Sequence, residues 1–541
     1  RERYSGPHGL TFAFVSTSNH FSAEPQGAVY SRTSPVIKFN TQGQAVFIGI
    51  CGELNSSIAG YWMKQTFQNR GSTVDDKGAR QRTAPFEDFY EFTGTGLQSF
   101  PVAEPYPLDL AREIDSLAQR LSATLPTALL AEGVPTRAEL DAARDRASSI
   151  RRRMIALQEE LDWRCYALYG VVAGTEAQGL QFGLEVPEVE LGQRAFEIVM
   201  ARRMAEGELE TTWFDRHGST PVADIPDHWP AAYRAVVEKR IALIDSHRYI
   251  GLVEKPEYKR RWQWSDKGFG PGWDEREKAA LERWLLDRLE TEHYWAGDPA
   301  LKSVNQLADL ARADSDFCRA ASLYEGQDHP DLSVLVARLV AKESVPFHPG
   351  LRYSESGRRK RVQWERVWNL QRREDAGENV GTIDVPPKYK REDFQSPDFW
   401  RLRGGLDVPK ERFISYPGAE KSADGGLMVA WAGFDHLAQA RALASFYHEM
   451  KEIEGWDAPR LIPLLAGLAD LLPWLKQWHN AYDSDFSQGP GDWFAAFLSE
   501  EARALAVTLD DISAWQPAAK AKGKRGRKKA SDQITLEDLG L

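Results

Sequence analysis

Lys64, Gln65, Asn69 and Arg70 fall within the seven-residue run KQTFQNR, inside a stretch from Leu54 to Pro101. Lys and Arg pair with phosphate oxygens, while Arg, Asn and Gln can each meet a base edge with two hydrogen bonds. The surrounding order is LNSSIAGYWMKQTFQNRGS, a polar connector, then FEDFYEFTGTGLQSFP. That order predicts an amphipathic helix, a basic and amide-rich loop, and a short aromatic strand stopped by proline. It suits a surface that holds polar side chains against a polymer. The same four residues fit a solvated helix face equally well.

Two further basic clusters could meet phosphate. Arg358, Arg359, Lys360 and Arg361 are contiguous, and Lys522–Lys529 contains the step Arg525-Gly-Arg527. A surface role for the first is the simpler reading. The second could lie in a narrow minor groove, but a nonspecific electrostatic tether is favoured.

Catalytic constellations are not evident. The sequence has no GxxxxGK[ST] phosphate loop, HExxH, CxxC or GxSxG. Its eleven histidines never fall at the i, i+3 or i, i+4 spacing of a helical metal site. Asp384-Val385-Pro386-Pro387-Lys388-Tyr389 imitates the acid-or-amide, Pro-Pro-aromatic signature that holds the amine of a flipped base, but Val and Lys interrupt it. A rigid proline-rich loop is the reading adopted. Gly49 and Gly52 lack the context of a cofactor fingerprint and are assigned to turn geometry.

The elements that must position these residues follow from periodicity. TFAFVSTS, PVIKFN and QAVFIGI read as strands, and Asn55-Ser56-Ser57 as a helix N-cap. From Leu108 the pattern turns helical, with a capping box at Thr136 and Glu139 opening a long helix. Trp163, Tyr166 and Tyr169 at its end look like an aromatic docking patch. Further helices are expected near 192–206, 228–246, 274–292, 301–313 and 328–342, then 433–454, 457–480 and 490–507. The expected fold class is α+β and multidomain. A mixed α/β domain (1–107) would precede a helical spacer (108–170), a mostly helical middle domain (171–350), an α-rich C-terminal domain (351–515) and a disordered basic tail (516–541).

With 541 residues, 42% hydrophobic and 27% charged, the chain has the composition of a soluble protein of several domains. No apolar run approaches the roughly 20 residues that span a bilayer. Three widely spaced cysteines predict reduced thiols in a cytosolic protein rather than a disulfide framework or zinc knuckle. A net charge of −11 argues against a coat that is basic all over, but not against one basic face. The opening RERYSGPHGL has no signal-peptide core, and the chain is expected to be cut from a larger protein.

TFAFVSTSNHF, SPVIKF, LNSSIAGYWMKQ and YEFTGTGLQSFP together resemble the target-recognition region of the PglX family, the adenine-specific DNA methyltransferases of type 2 BREX phage-defence systems. LDWRCYALYG resembles the segment closing that region. PPKYKREDFQSPDFWRLRGGLDVPKERFISYPG resembles the family's C-terminal domain. The resemblance implies double-stranded DNA as partner, with Asn19 and His20 added to the candidate contacts. It places S-adenosylmethionine in an N-terminal catalytic domain whose glycine and Asn-Pro-Pro-aromatic motifs this sequence lacks, so the chain is expected to hold no cofactor and to be inactive alone. An interaction scaffold for other BREX proteins or a phage-encoded inhibitor is the alternative.

Overall fold

The computed structural model describes residues 9–23, 33–38, 44–71, 84–265, 268–402 and 411–517. The chain forms two compact units, Arg1–Arg283 and Trp284–Leu541. Helices dominate, with three small sheets among the described residues, so the α+β expectation holds.

The first unit opens with two three-stranded sheets. In one, β1 (Gly9–Phe12) lies between β3 (Phe21–Ala23) and β4 (Val36–Lys38), all antiparallel. In the other, β6 (Phe89–Glu91) lies between β2 (Val15–Ser16) and β5 (Gln68–Gly71). The QAVFIGI run is not a strand but part of a helix, Gln44–Leu54. A short apolar run without alternation does not distinguish the two. Gly49 and Gly52 are accordingly not turn residues. A Cβ at Gly49 would sit 2.5 Å from Cβ of Tyr106, and one at Gly52 would sit 2.8 Å from Cβ of Ala111. Both glycines let the helix approach its neighbours closely.

The helix Arg137–Leu168 is the spine of this unit. Thr136 and Glu139 form the expected capping box. Its first half buries one stripe, Leu140, Ala143, Ala147 and Ile150. From Met154 to Trp163 every residue is buried, including Gln158, Glu159, Glu160 and Asp162. A helix enclosed all round has no polar face, so its charges need internal partners. Glu159 accepts from the Ala195 amide at 2.9 Å. Glu160 accepts from the Phe182 and Gly183 amides and pairs with buried Arg240. The proposed spacer thus shares one hydrophobic core with residues up to Trp273. Trp163 and Tyr166 are 0% exposed and form part of that core, not an external docking patch.

The second unit contains a four-stranded sheet that the sequence did not announce. Its order is β7 (Lys302–Ser303), β10 (Met428–Trp431), β9 (Phe413–Tyr416), β8 (Ser344–Pro346), with only β8 and β9 parallel. β9 is the FISY of the run that resembles the family's C-terminal domain. The helices His436–Glu452, Ala458–Trp478 and Pro490–Ala504 share a core with this sheet. Ala458–Trp478 is long and apolar enough by length and composition to cross a membrane, contrary to expectation. Here its Leu461, Leu464, Leu465, Leu468 and Leu475 are buried in the unit's core.

His348 caps the Pro349–Arg352 turn of helix, its Nδ1 accepting from the Gly350 amide at 3.0 Å. Burial, then the Arg361 charge, pushes its pKa down to about 4. The folded state therefore keeps it neutral, while the unfolded chain takes up a proton below its ordinary value of 6.5. Stability is unaffected above that value and falls as pH drops from 6.5 toward 4, by up to about 3 kcal/mol from this group. His348→Asn keeps a capping oxygen without the titration. It should flatten the acid limb of a urea-midpoint profile; an unchanged slope between pH 7 and 4.5 would refute the assignment.

Candidate nucleic-acid interface

The KQTFQNR run spans two elements rather than a helix and loop. Lys64 and Gln65 sit in the last turn of the Ser57–Thr66 helix, whereas Asn69 and Arg70 lie on β5. Ser56 starts the helix, its hydroxyl accepting from the Ala59 amide. Phe67 ends it by packing edge-on against Trp62 and Phe92, at centroid distances of 6.1 and 5.5 Å. That anchor turns the chain into strand pairing with β6 and sets Lys64 and Asn69 beside Tyr90.

Lys64 is 8% exposed, and its ammonium has no hydrogen-bond partner among the described residues while standing 5.0 Å over the Tyr90 ring. Burial, reinforced by the Arg261 charge, pushes its pKa down to about 8, against the pull of Glu257 and Asp88. Arg261 is itself 2% exposed, with Nε and one Nη unpartnered among the described residues. Burial pushes it down to about 10, opposed by Glu87. Buried donors without acceptors are rare in folded proteins and call for a partner. Gln65 donates to the Tyr258 hydroxyl at 3.4 Å, and Asn69 donates to Asp88 at 3.0 Å and to the Tyr90 hydroxyl at 3.2 Å. Arg70 pairs with Glu91, its Nε at 2.7 Å, with the Arg70 side chain half exposed. Acids and bases therefore alternate across this face, and its chemistry is directional hydrogen bonding more than bulk attraction.

The other candidate contacts divide. Asn19 is 4% exposed and donates to the Leu54 and Ser56 carbonyls at 2.7 and 3.0 Å, so its amide is committed inside the fold and cannot read a base. His20 bonds the Ser18 hydroxyl and lines a pocket. Burial, then Arg260 and Arg261, pushes its pKa down to about 3, so it carries no charge for a phosphate. In the second unit, Arg358–Arg361 open the helix Glu355–Asp375. Arg359 pairs with Glu355, Lys360 with Asp393 at 2.5 Å, and Arg361 with Glu365 and Asp470. Arg358 alone of the four has no partner among the described residues. Arg525 and Arg527 lie outside the described residues. The imitated flipped-base motif is indeed a loop: the Pro387 carbonyl accepts from the Trp364 indole at 2.8 Å, and Tyr389 stacks on Tyr353. Tyr90, Tyr258 and Arg261 were missed. Only the basic-aromatic interleaving of RRWQW hinted at the last of them.

A family model described as a domain of unknown function (DUF7008) matches residues 154–528, and the chain belongs to that family. It is also 44% identical over 537 residues to the adenine-specific methyltransferase PglX of Streptomyces coelicolor, as the sequence runs had indicated. The match covers 96% of this chain and 43% of that relative, so the chain spans less than half of the relative's length. No solved structure matches the chain.

Proposed function

We propose that this chain serves as the DNA target-recognition part of a site-specific N6-adenine DNA methyltransferase of a BREX phage-defence system. In this reading S-adenosylmethionine and methyl transfer belong to another region of the whole protein, since the sequence carries neither motif. The identity to an adenine-specific methyltransferase supports the reading, and the unpartnered, buried Lys64 ammonium beside Gln65, Asn69 and Arg70 is the observation that carries it. Lys64, whose ammonium lies just beneath this face, supplies a positive charge toward a phosphate docked on it. Arg70 exchanges Glu91 for a phosphate or a guanine edge, at little cost because an exposed ion pair contributes about 0–1 kcal/mol. Gln65 and Asn69, oriented by Tyr258 and Tyr90, meet base edges.

Lys64 is charged below about pH 8 and neutral above, so affinity for duplex DNA should fall from pH 7 to pH 9. Lys64→Met should weaken binding about tenfold at pH 7, lower the salt slope by about one and lose most of the pH step. Fluorescence anisotropy over a salt series measures all three. Identical curves for both proteins would sink this assignment.

The scaffold reading draws on one observation, that Trp478 and Tyr482 are 63% and 77% exposed. If it is right, Trp478→Ala abolishes capture of another protein of the same defence system and leaves DNA binding intact.

A further inference from the structure

The helix Glu355–Asp375 is 21 residues long, yet Gly357 is its only buried residue. A surface helix ordinarily buries an apolar stripe. Here the helix is held at points along its length: Lys360 to Asp393, Arg361 to Asp470, Trp364 to the Pro387 carbonyl and Arg372 to Gln477. Its residues Trp364 and Trp368 border a cavity of about 480 Å³ in the second unit. That volume is within the ~300–1,000 Å³ of small-molecule sites and far above ordinary packing voids.

The walls are flat. Phe347 and Tyr416 stack at 4.8 Å with planes 20° apart. Trp364 and Tyr389 stack at 6.3 Å and 11°, and His436 lies on Trp474 at 5.5 Å and 11°. Tyr416 and Asp470 are among the polar residues that line the same space. Tyr416 is 2% exposed, and its hydroxyl bonds no described residue. Asp470 gives one oxygen to Arg361 at 2.5 Å, leaving the other without a partner among the described residues; its side chain is 27% accessible. Burial raises the Asp470 pKa, with Arg361 acting against the rise. Aromatic faces, a carboxylate acceptor and a free hydroxyl complement a planar ring bearing an amino donor beside a ring acceptor.

We propose that this cavity is a slot for an unstacked nucleobase, with Tyr416 and Asp470 meeting its polar edge and the aromatic walls its faces. The base could belong to a free nucleoside or nucleotide, or to a nucleic acid in which it is unpaired. The proposal rests on the second unit alone and does not depend on the interface containing Lys64.

The fluorescent base 2-aminopurine tests it with the full chain. One arm titrates the free riboside; the other titrates a duplex with a single bulged 2-aminopurine, against the same duplex with that base paired. Saturable quenching of the riboside supports a free-nucleoside ligand, and quenching of the bulged duplex alone supports a nucleic-acid base. In either case Trp474→Leu should weaken binding about tenfold, and Tyr416→Phe, which keeps the ring stack, by several-fold. Quenching in neither arm by folded protein overturns the proposal. Quenching that both variants leave unchanged overturns it too, because the base is then bound elsewhere.

Discussion

Asp162→Ala is expected to destabilise the first unit by about 3–5 kcal/mol. Asp162 is 3% exposed on the spine helix and joins three segments of chain. Its Oδ1 accepts from the Ser57 amide at 2.8 Å and from Gln158 at 3.2 Å, and its Oδ2 accepts from the Ser57 hydroxyl at 2.6 Å and Lys259 at 3.0 Å. Lys259 retains Glu254, at 2.7 Å, after the substitution, so the loss is not that of a wholly orphaned ammonium. It comes chiefly from stranding the Ser57 amide and hydroxyl, at about 1–3 kcal/mol for each buried donor, whereas Gln158 keeps the Asn55 carbonyl at 3.2 Å. Ser57 is also the first residue of the helix that ends in Lys64 and Gln65. Under the proposed recognition role the variant should therefore lose DNA affinity along with stability, while Asp162→Asn, which keeps one acceptor, loses less of both. Urea unfolding with hydrogen exchange of the Ser57–Thr66 amides measures it. A cost below about 1 kcal/mol would mean that water reaches this network.

The second large effect is expected at Arg240. It is 0% exposed, pairs with Glu160 and donates to the Leu180 carbonyl from Nε at 2.9 Å and from Nη2 at 2.7 Å. Its guanidinium also stands 5.4 Å over the Trp163 ring. Arg240→Ala leaves the Glu160 carboxylate enclosed with only the Phe182 and Gly183 amides, and removes a packed stem. About 3–5 kcal/mol is the expected cost. Glu160→Gln, which retains shape and removes the charge, should cost less, and combining it with Arg240→Met should recover part of the Arg240→Ala loss. A double-mutant cycle by chemical denaturation measures the coupling. Additive losses would show that Glu160 and Arg240 act separately.

Local rules made much of this protein legible. The cap at Ser56, the capping box at Thr136 and Glu139, and most long helices lie close to where spacing placed them, because a helix closes its hydrogen bonds within one segment. The relationship to PglX was also readable, being carried by short runs such as YEFTGT. The Glu355–Asp375 helix was read only as a basic segment, because nothing in its sequence alternates with a buried stripe. The second unit's sheet escaped because its strands are only two to four residues long, and β7 and β8 find their partners far along the chain, Ser303 opposite Met428 and Ser344 opposite Phe413. Such pairing leaves no local period.

For the candidate interface, the sequence by itself determined which side chains are available: a lysine, an arginine and two amides within KQTFQNR. Tertiary structure decided what each can do. Asn19 and Asn69 are the same residue type, yet one amide is enclosed against the Leu54 carbonyl and the other stays on an exposed strand. Lys64 and Lys360 carry the same formal charge, yet one ammonium is buried without an acceptor and the other is neutralised by Asp393. Hydrogen-bond supply and burial depend on segments distant in the chain. Residue type sets the chemistry a side chain can offer; the fold sets whether that chemistry is already satisfied.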